Sequence, residues 1–276
     1  MKLKFIFLFI LFLLNPVFAE EGYYSLSYNM NSIVASIELN GIMQTEPSNE
    51  EFKSGVATDL NLWIMPGENT LKIKLLKPYK KGKNPSEPKI KVYIRFGQAG
   101  QTSDEGKEIV SFIAPEVEGD NITFPFEKEI KFTPAIIPPS ELWTKAEKVE
   151  LDDSSKKEIS DLIQALYKTS NSGNKKDFLK LNEFKLNDMP KSMYANQKED
   201  KARDEKSIGG FLKLIKGKME KIPTKLTFVP VANGNIIYVT NAKGEDIIKT
   251  KGSQDDGAFK TPVYVAKIDG KWTLVR

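Results

Sequence analysis

The chain contains neither cysteine nor histidine in its 276 residues. Without Cys there is no disulfide, thiolate nucleophile, thiolate zinc site or iron–sulfur cluster. Without His there is no Ser–His or Cys–His couple, and the commonest transition-metal ligand is missing. Arginine is scarce too. Of 41 basic residues only Arg95, Arg203 and Arg276 are arginines. The formal net charge is +4, and Lys2 and Lys4 at the start supply two of those charges. Nucleic-acid readers need a concentrated basic footprint in which arginine makes the bidentate contacts. No nucleic-acid partner is expected. Asp and Glu are scattered without calcium-loop spacing, so no metal and no other cofactor is expected.

Long apolar runs are also few. The one that stands out is Phe5–Leu14, behind the basic start Met1-Lys-Leu-Lys4. It leads to Val17-Phe18-Ala19 and then Glu20-Glu21. Ten apolar residues fall short of the ~20 that span a bilayer. The pattern is that of a cleavable secretory signal over 1–19. Cys is absent near the cleavage point, which excludes a lipoprotein anchor. The expectation is a periplasmic or secreted protein with no membrane anchor after cleavage. The lack of Cys favours a bacterial periplasm over a disulfide-bearing eukaryotic product.

What is present falls into two regimes, with Thr133-Pro-Ala-Ile-Ile-Pro-Pro139-Ser140 between them. Three prolines in so short a stretch cannot sit inside a helix or a central strand. Before it, short alternating segments predict strands. Ile90, Val92, Ile94 and Phe96 point one way, and Lys89, Lys91, Tyr93 and Arg95 the other. Thr58–Met65 and Thr70–Lys77 around Pro66-Gly67 predict a hairpin, with Trp63 mid-strand. Residues 46–54 read as a polar loop. The whole predicts an antiparallel β-sandwich over 20–133.

After the prolines the period becomes helical. Ser155-Lys-Lys-Glu158 predicts a capping box, followed by the stripe Ile159, Leu162, Ile163, Leu166 and Tyr167. A short helix follows from Asn174. A third is predicted over 188–206 with Pro190 in its first turn, then a fourth over 208–222, broken from it by Gly209-Gly210. After Pro223 the period is two, and Asp269-Gly270 predicts a tight hairpin. That hairpin pairs Val265 with Leu274 and Lys267 with Trp272.

Helices first, then a sheet closing on Asp269-Gly-Lys-Trp-Thr-Leu-Val275, resembles the cone-shaped fold of the nuclear-transport-factor and ketosteroid-isomerase-like superfamily over 152–276. The resemblance implies an α+β cone. It does not choose among the isomerases, ligand binders and partner-binding domains of that superfamily. The expected plan is therefore a leader (1–19), an all-β sandwich (20–133), a docked proline-rich connector (134–151) and an α+β cone (152–276). The expected function is non-enzymatic binding of a ligand, an envelope component or a partner protein. The alternative is an isomerase or dehydratase acting in the cone, which would need a carboxylate base and a Tyr facing each other in an apolar pocket. Asp161 and Asp177 are candidates by residue type, although Asp161 lies off the apolar stripe. Tyr167, Phe178, Tyr194, Tyr238, Tyr264 and Trp272 are the candidate pocket lining. In the first half, Tyr79, Lys80, Lys81 and Lys83 form a candidate loop for an anionic partner, although charge runs usually just face water.

Overall fold

The computed structural model describes residues 21–79, 87–98, 100–117, 119–195, 197–252 and 258–276. The leader at 1–19 and Lys80, Lys81 and Lys83 lie outside the described residues. The first half supplies β1 (Gly22–Asn31), β2 (Ile33–Leu39), β3 (Ile42–Thr45), β4 (Phe52–Ala57), β5 (Asn69–Pro78), β6 (Lys89–Gln98), β7 (Lys107–Ala114) and β8 (Phe126–Phe132). They form two antiparallel four-stranded sheets, ordered β4-β1-β6-β7 and β3-β2-β5-β8. Both sheets turn their apolar residues into one core. Leu26, Ile90, Val92 and Ile94 come from the first sheet, and Ile37, Leu71, Ile73 and Leu75 from the second. The arrangement is sandwich-like, and the alternation in β5 and β6 is what produces it.

Two readings of this half need correction. Residues 58–65 are not a strand. Leu60–Leu62 form a 3₁₀ turn, and Leu60, Asn61, Leu62 and Ile64 are all buried. Burial of consecutive residues does not fit a strand with one wet face. The turn is held from inside by Asn61, whose Oδ1 accepts from Tyr24 N at 2.8 Å while its Nδ2 donates to Gly22 O at 3.0 Å. The partners of β5 are β2 and β8, so there is no hairpin at Pro66-Gly67. Phe52–Ala57, partly assigned to a polar loop, is an edge strand along β1.

After the prolines come α1 (Leu142–Lys145), β9 (Ala146–Glu147), α2 (Asp153–Ser172), α3 (Lys175–Leu181), α4 (Glu183–Ser192) and α5 (Gln197–Ile215). Then follow β10 (Leu226–Val231), β11 (Ile236–Asn241), β12 (Ile248–Lys249), β13 (Lys260–Thr261), β14 (Val263–Ile268) and β15 (Lys271–Leu274). No described helix is long and apolar enough to cross a membrane. The sheet runs β10-β11-β14-β15 with β9 added beside β14, and β12 and β13 form a separate ribbon. The hairpin register is the one expected from Asp269-Gly270: Val265 opposes Leu274 and Lys267 opposes Trp272.

The helix boundaries differ from expectation in informative ways. The cap of α2 is Asp152, whose carboxylate accepts from Ser155 N at 2.7 Å, so the helix begins before the predicted box. Gly173 ends it in the left-handed region, and Asn174 caps α3 by accepting from Asp177 N. The stretch predicted as one helix over 188–206 belongs to two. Pro190 falls near the end of α4, and α5 runs through Gly209-Gly210 without a break. The interruption comes instead at Gly217, where the backbone is left-handed at φ 73° and the N–H donates to Asn171 O at 2.8 Å.

The five-stranded sheet is covered on both faces. Val263, Val265, Trp272 and Leu274 meet Ile159, Ile163 and Leu166 of α2 and Leu212 and Ile215 of α5. On the opposite face Tyr264, Ala266 and Val275 meet Ile42 and Met65 of the first half and Leu142 of α1. The proline-rich stretch is tied to the first half, where the Tyr24 hydroxyl donates to Ile136 O at 2.8 Å. Pro134 and Pro138 are buried and Ile137 is exposed.

Candidate functional site

Between the helices and the inner face of the sheet lies a cavity of 360 Å³ that opens to solvent. Leu166 of α2, Phe178 of α3, Ile208 and Phe211 of α5 and Val263 and Leu274 of the sheet make most of its wall. The size is at the lower end of what ligand-binding clefts have, and the wall is mainly apolar, as such clefts are. Polar groups enter at a few points: Ser170, Asn182, Lys185, Ser207, Thr261 and Arg276.

The two cations in this wall have opposite circumstances. Arg276 is buried and saturated. Its Nη1 lies 2.9 Å from Asp188 Oδ2, and its Nε and Nη2 each reach Leu62 O at 3.3 Å. Asp188 is equally occupied, accepting from Ser140 Oγ at 2.7 Å and from Glu141 N at 2.6 Å. Burial pulls the Arg276 pKa down, and Asp188 pulls it back only in part. One ion pair thus gathers α4, the Ser140–Glu141 segment, the end of β15 and the first-half turn into a single polar knot. Asn61 adds a second link, donating to Ser192 O at 3.1 Å.

Lys185 sits one helical turn before Asp188 on α4, and among the described residues it has no hydrogen-bond or ion-pair partner. It is half-buried, its side chain forming part of the cavity wall. Its pKa is pushed down to about 8, first by burial and then by the nearby Arg276 charge.

The residues singled out from the sequence are dispersed. Phe178 lines the cavity. Tyr167 packs partly buried against the helix-side core. Trp272 belongs to that core but borders a broader groove on the far side of α2 and α3, and its indole N–H has no acceptor among the described residues. Tyr238 and Tyr264 stack at 4.9 Å on the opposite face of the sheet. Tyr238 donates to Asp246 Oδ1 at 2.8 Å. Burial and then that hydrogen bond hold its phenol protonated far above the usual range, and burial does the same for Tyr264. Tyr194 meets Tyr23 edge-on at 5.8 Å, away from the cavity. Asp161 pairs with exposed Lys157, and Asp177 completes the α3 cap with Asn174. Tyr79 donates its backbone N–H to Ser32 O at 2.9 Å, and the three lysines grouped with it lie outside the described residues. Trp63 is not mid-strand. It follows the 3₁₀ turn and packs edge-on against Tyr264 at 5.0 Å.

Lys185, Asp188 and Arg276 were not singled out from the sequence. A signal did exist. Read in frame from Asn182, positions 182, 185, 188, 189 and 192 share one helical face, which places Lys185, Asp188 and Ser192 among buried neighbours. Starting the helix at 188 hid that frame. Among the described residues, no cluster of three acidic side chains could hold a metal ion. Comparison of the chain with protein-family models, curated proteins and solved structures finds no match.

Proposed function

We propose that this is a non-enzymatic binding protein that works outside the cytoplasm, with a small, mainly apolar molecule held between the helices and the sheet of its second half. The observation that carries the reading is the 360 Å³ cavity with its apolar wall. In this reading the second half is a cone-like α+β domain akin to the nuclear-transport-factor superfamily. The first half is a β-sandwich, the prolines are a docked connector, and residues 1–19 are the export signal. The isomerase alternative needs a carboxylate facing a Tyr across the cavity. Among the described lining residues there is neither a carboxylate nor a Tyr. The Tyr238–Asp246 pair lies on the other face of the sheet, with the phenol as donor. Binding is therefore the better-supported reading.

The test is titration of the full chain with the neutral fluorescent probe 2-naphthol, which is small enough for the cavity. One probe bound per chain, and loss of binding in an Ile208→Trp variant that fills the cavity, is the expected result. Equal binding by the filled variant would remove the cavity from consideration. Export is tested by fusing residues 1–19 to a reporter that is active only outside the cytoplasm; an inactive reporter would refute it.

A further inference from the structure

From the unpaired cation in the cavity wall we infer that Lys185 receives the anionic end of the ligand, so that the cavity selects single-chain monoanions, such as medium-chain carboxylates, over neutral molecules of the same size. The inference rests on the cavity reading above and narrows it to a chemical class.

The charges inside this apolar space do not balance. Arg276 and Asp188 neutralise each other, and their remaining hydrogen-bonding capacity goes to Ser140, Glu141 and Leu62. Lys185, on the same helix, is left out of that arrangement. It lies three positions before Asp188, a carboxylate that is already committed elsewhere. The α2, α3 and α5 side chains described in the wall are Leu166, Ser170, Phe178, Ser207, Ile208, Phe211 and Ile215, and none can carry charge. The sheet side presents Val263 and Leu274, with Arg276 as its one ionisable group. Glu183 and Glu205 border the neighbouring cleft, beyond Leu186 and Ile208. The described wall therefore holds one positive charge with no counter-charge. Leaving a cation unpaired in such surroundings is unfavourable, and the downward push on the Lys185 pKa reports that cost. A monoanion that brings its own apolar tail offsets the cost and fills the space in one step.

Size sets a limit on the tail. Liquid water takes about 30 Å³ per molecule, so 360 Å³ suits a ligand of the order of a dozen non-hydrogen atoms. A two-chain phospholipid is too large. A ten-carbon carboxylate fits.

Decanoate and 1-decanol are the probes, titrated calorimetrically into the full chain at pH 7. Decanoate should bind about 10-fold more tightly or better, the range of a charge-assisted contact. Lys185→Met should abolish the preference and Lys185→Arg should keep it. Because Lys185 titrates near pH 8, decanoate binding at pH 8.5 should take up a proton, measurable in two buffers of different ionisation heat, and the affinity should fall as pH rises further. Equal affinity for acid and alcohol, or a preference that survives Lys185→Met, overturns the inference while leaving the cavity reading intact. If neither probe binds, both readings fail. Binding to phosphatidylglycerol vesicles that decanoate does not compete would move the cation's role to a membrane surface and also overturn the inference.

Discussion

The two faces of the five-stranded sheet are built from alternate residues of the same strands, yet one is sealed and the other hollow. Tyr264, Ala266 and Val275 pack against the first half and α1, and this layer gathers Ile42, Met65 and Leu142 into a closed core. Val263 and Leu274 point the other way and border the cavity. The difference lies in what covers each face. The sealed face meets a turn and a short helix that supply compact apolar side chains. The hollow face packs on α2 and α5 over part of its area, and at the cavity it faces α4, which brings Asn182 and Lys185 into the wall. Long polar side chains cannot fill an apolar space at the density of a normal interior. The sheet is thus a shared wall: one side specifies how the halves sit together, and the other leaves room for something else.

The sharpest way to break this comparison is Asp188→Ala. It strips Arg276 of its counter-ion in a buried site and orphans the donors of Ser140 and Glu141. A loss of ~3–5 kcal/mol in denaturant unfolding is expected. A loss below about 1 kcal/mol would mean that the pair does not hold the seam. Next comes a matched pair of truncations. Leu142→Ala on the sealed face should cost ~2–5 kcal/mol, as deletions in dense cores do. Leu274→Ala on the hollow face should cost roughly half as much, because part of its surface already lacks partner atoms. Equal costs would argue that the cavity closes in solution.

A smaller effect, of opposite sign, is expected at Lys185. Its folded pKa is depressed from 10.5 to about 8, so the unfolded chain binds more protons between those values. Wild-type stability therefore rises with pH across that window. Lys185→Met removes the unpaired charge and should stabilise the protein at pH 7 by about 1–2 kcal/mol. The gain should shrink between pH 8 and 10.5. The smallest effect is at Glu141, which pairs with Lys145 and Lys191 at the rim of the sealed side. Hydrogen bonds from Lys145 and then Lys191 push its carboxyl down to about 2. Stability from this group is present above 4.5 and lost as pH falls toward 2. Its side chain is 40% exposed, so Glu141→Gln should cost under about 1 kcal/mol at pH 7 and nothing below pH 2.

The last hairpin and both of its faces could be read from the sequence, because the Asp-Gly turn fixes register and period two fixes the faces. The alternation in β5 and β6 was equally plain. The Leu60–Leu62 turn was not, since its burial depends on Asn61 reaching Tyr24 and Gly22 far away in the chain. The apolar stripe made α2 legible although its cap is Asp152 and not Ser155, and for α3 the Asn174 cap is the one expected. At α4 the proline reads as a start signal in the sequence, yet Pro190 lies near the helix end. The cavity could not be read at all, because it comes from how four helices meet one sheet. Residue type alone nominates aromatics for it, and of these only Phe178 is among its described lining. Their placement follows strand parity, which sends Tyr238 and Tyr264 to the sealed face.

One consequence concerns the order in which the molecule can assemble. The contact between Arg276 and the Leu62 carbonyl closes a loop of 214 residues. The entropy of such closure grows only with the logarithm of length, so the finished seam is not heavily penalised. Its timing is another matter. Strands β1–β8 complete their two sheets from sequence that precedes the prolines, whereas Asp188 waits for Arg276, 88 positions later, before its charge is answered. During synthesis the first half can settle early, and the seam closes only when β15 and Arg276 arrive. A chain stalled before β15 would expose both faces of an unfinished sheet, which makes that interval the one most exposed to aggregation.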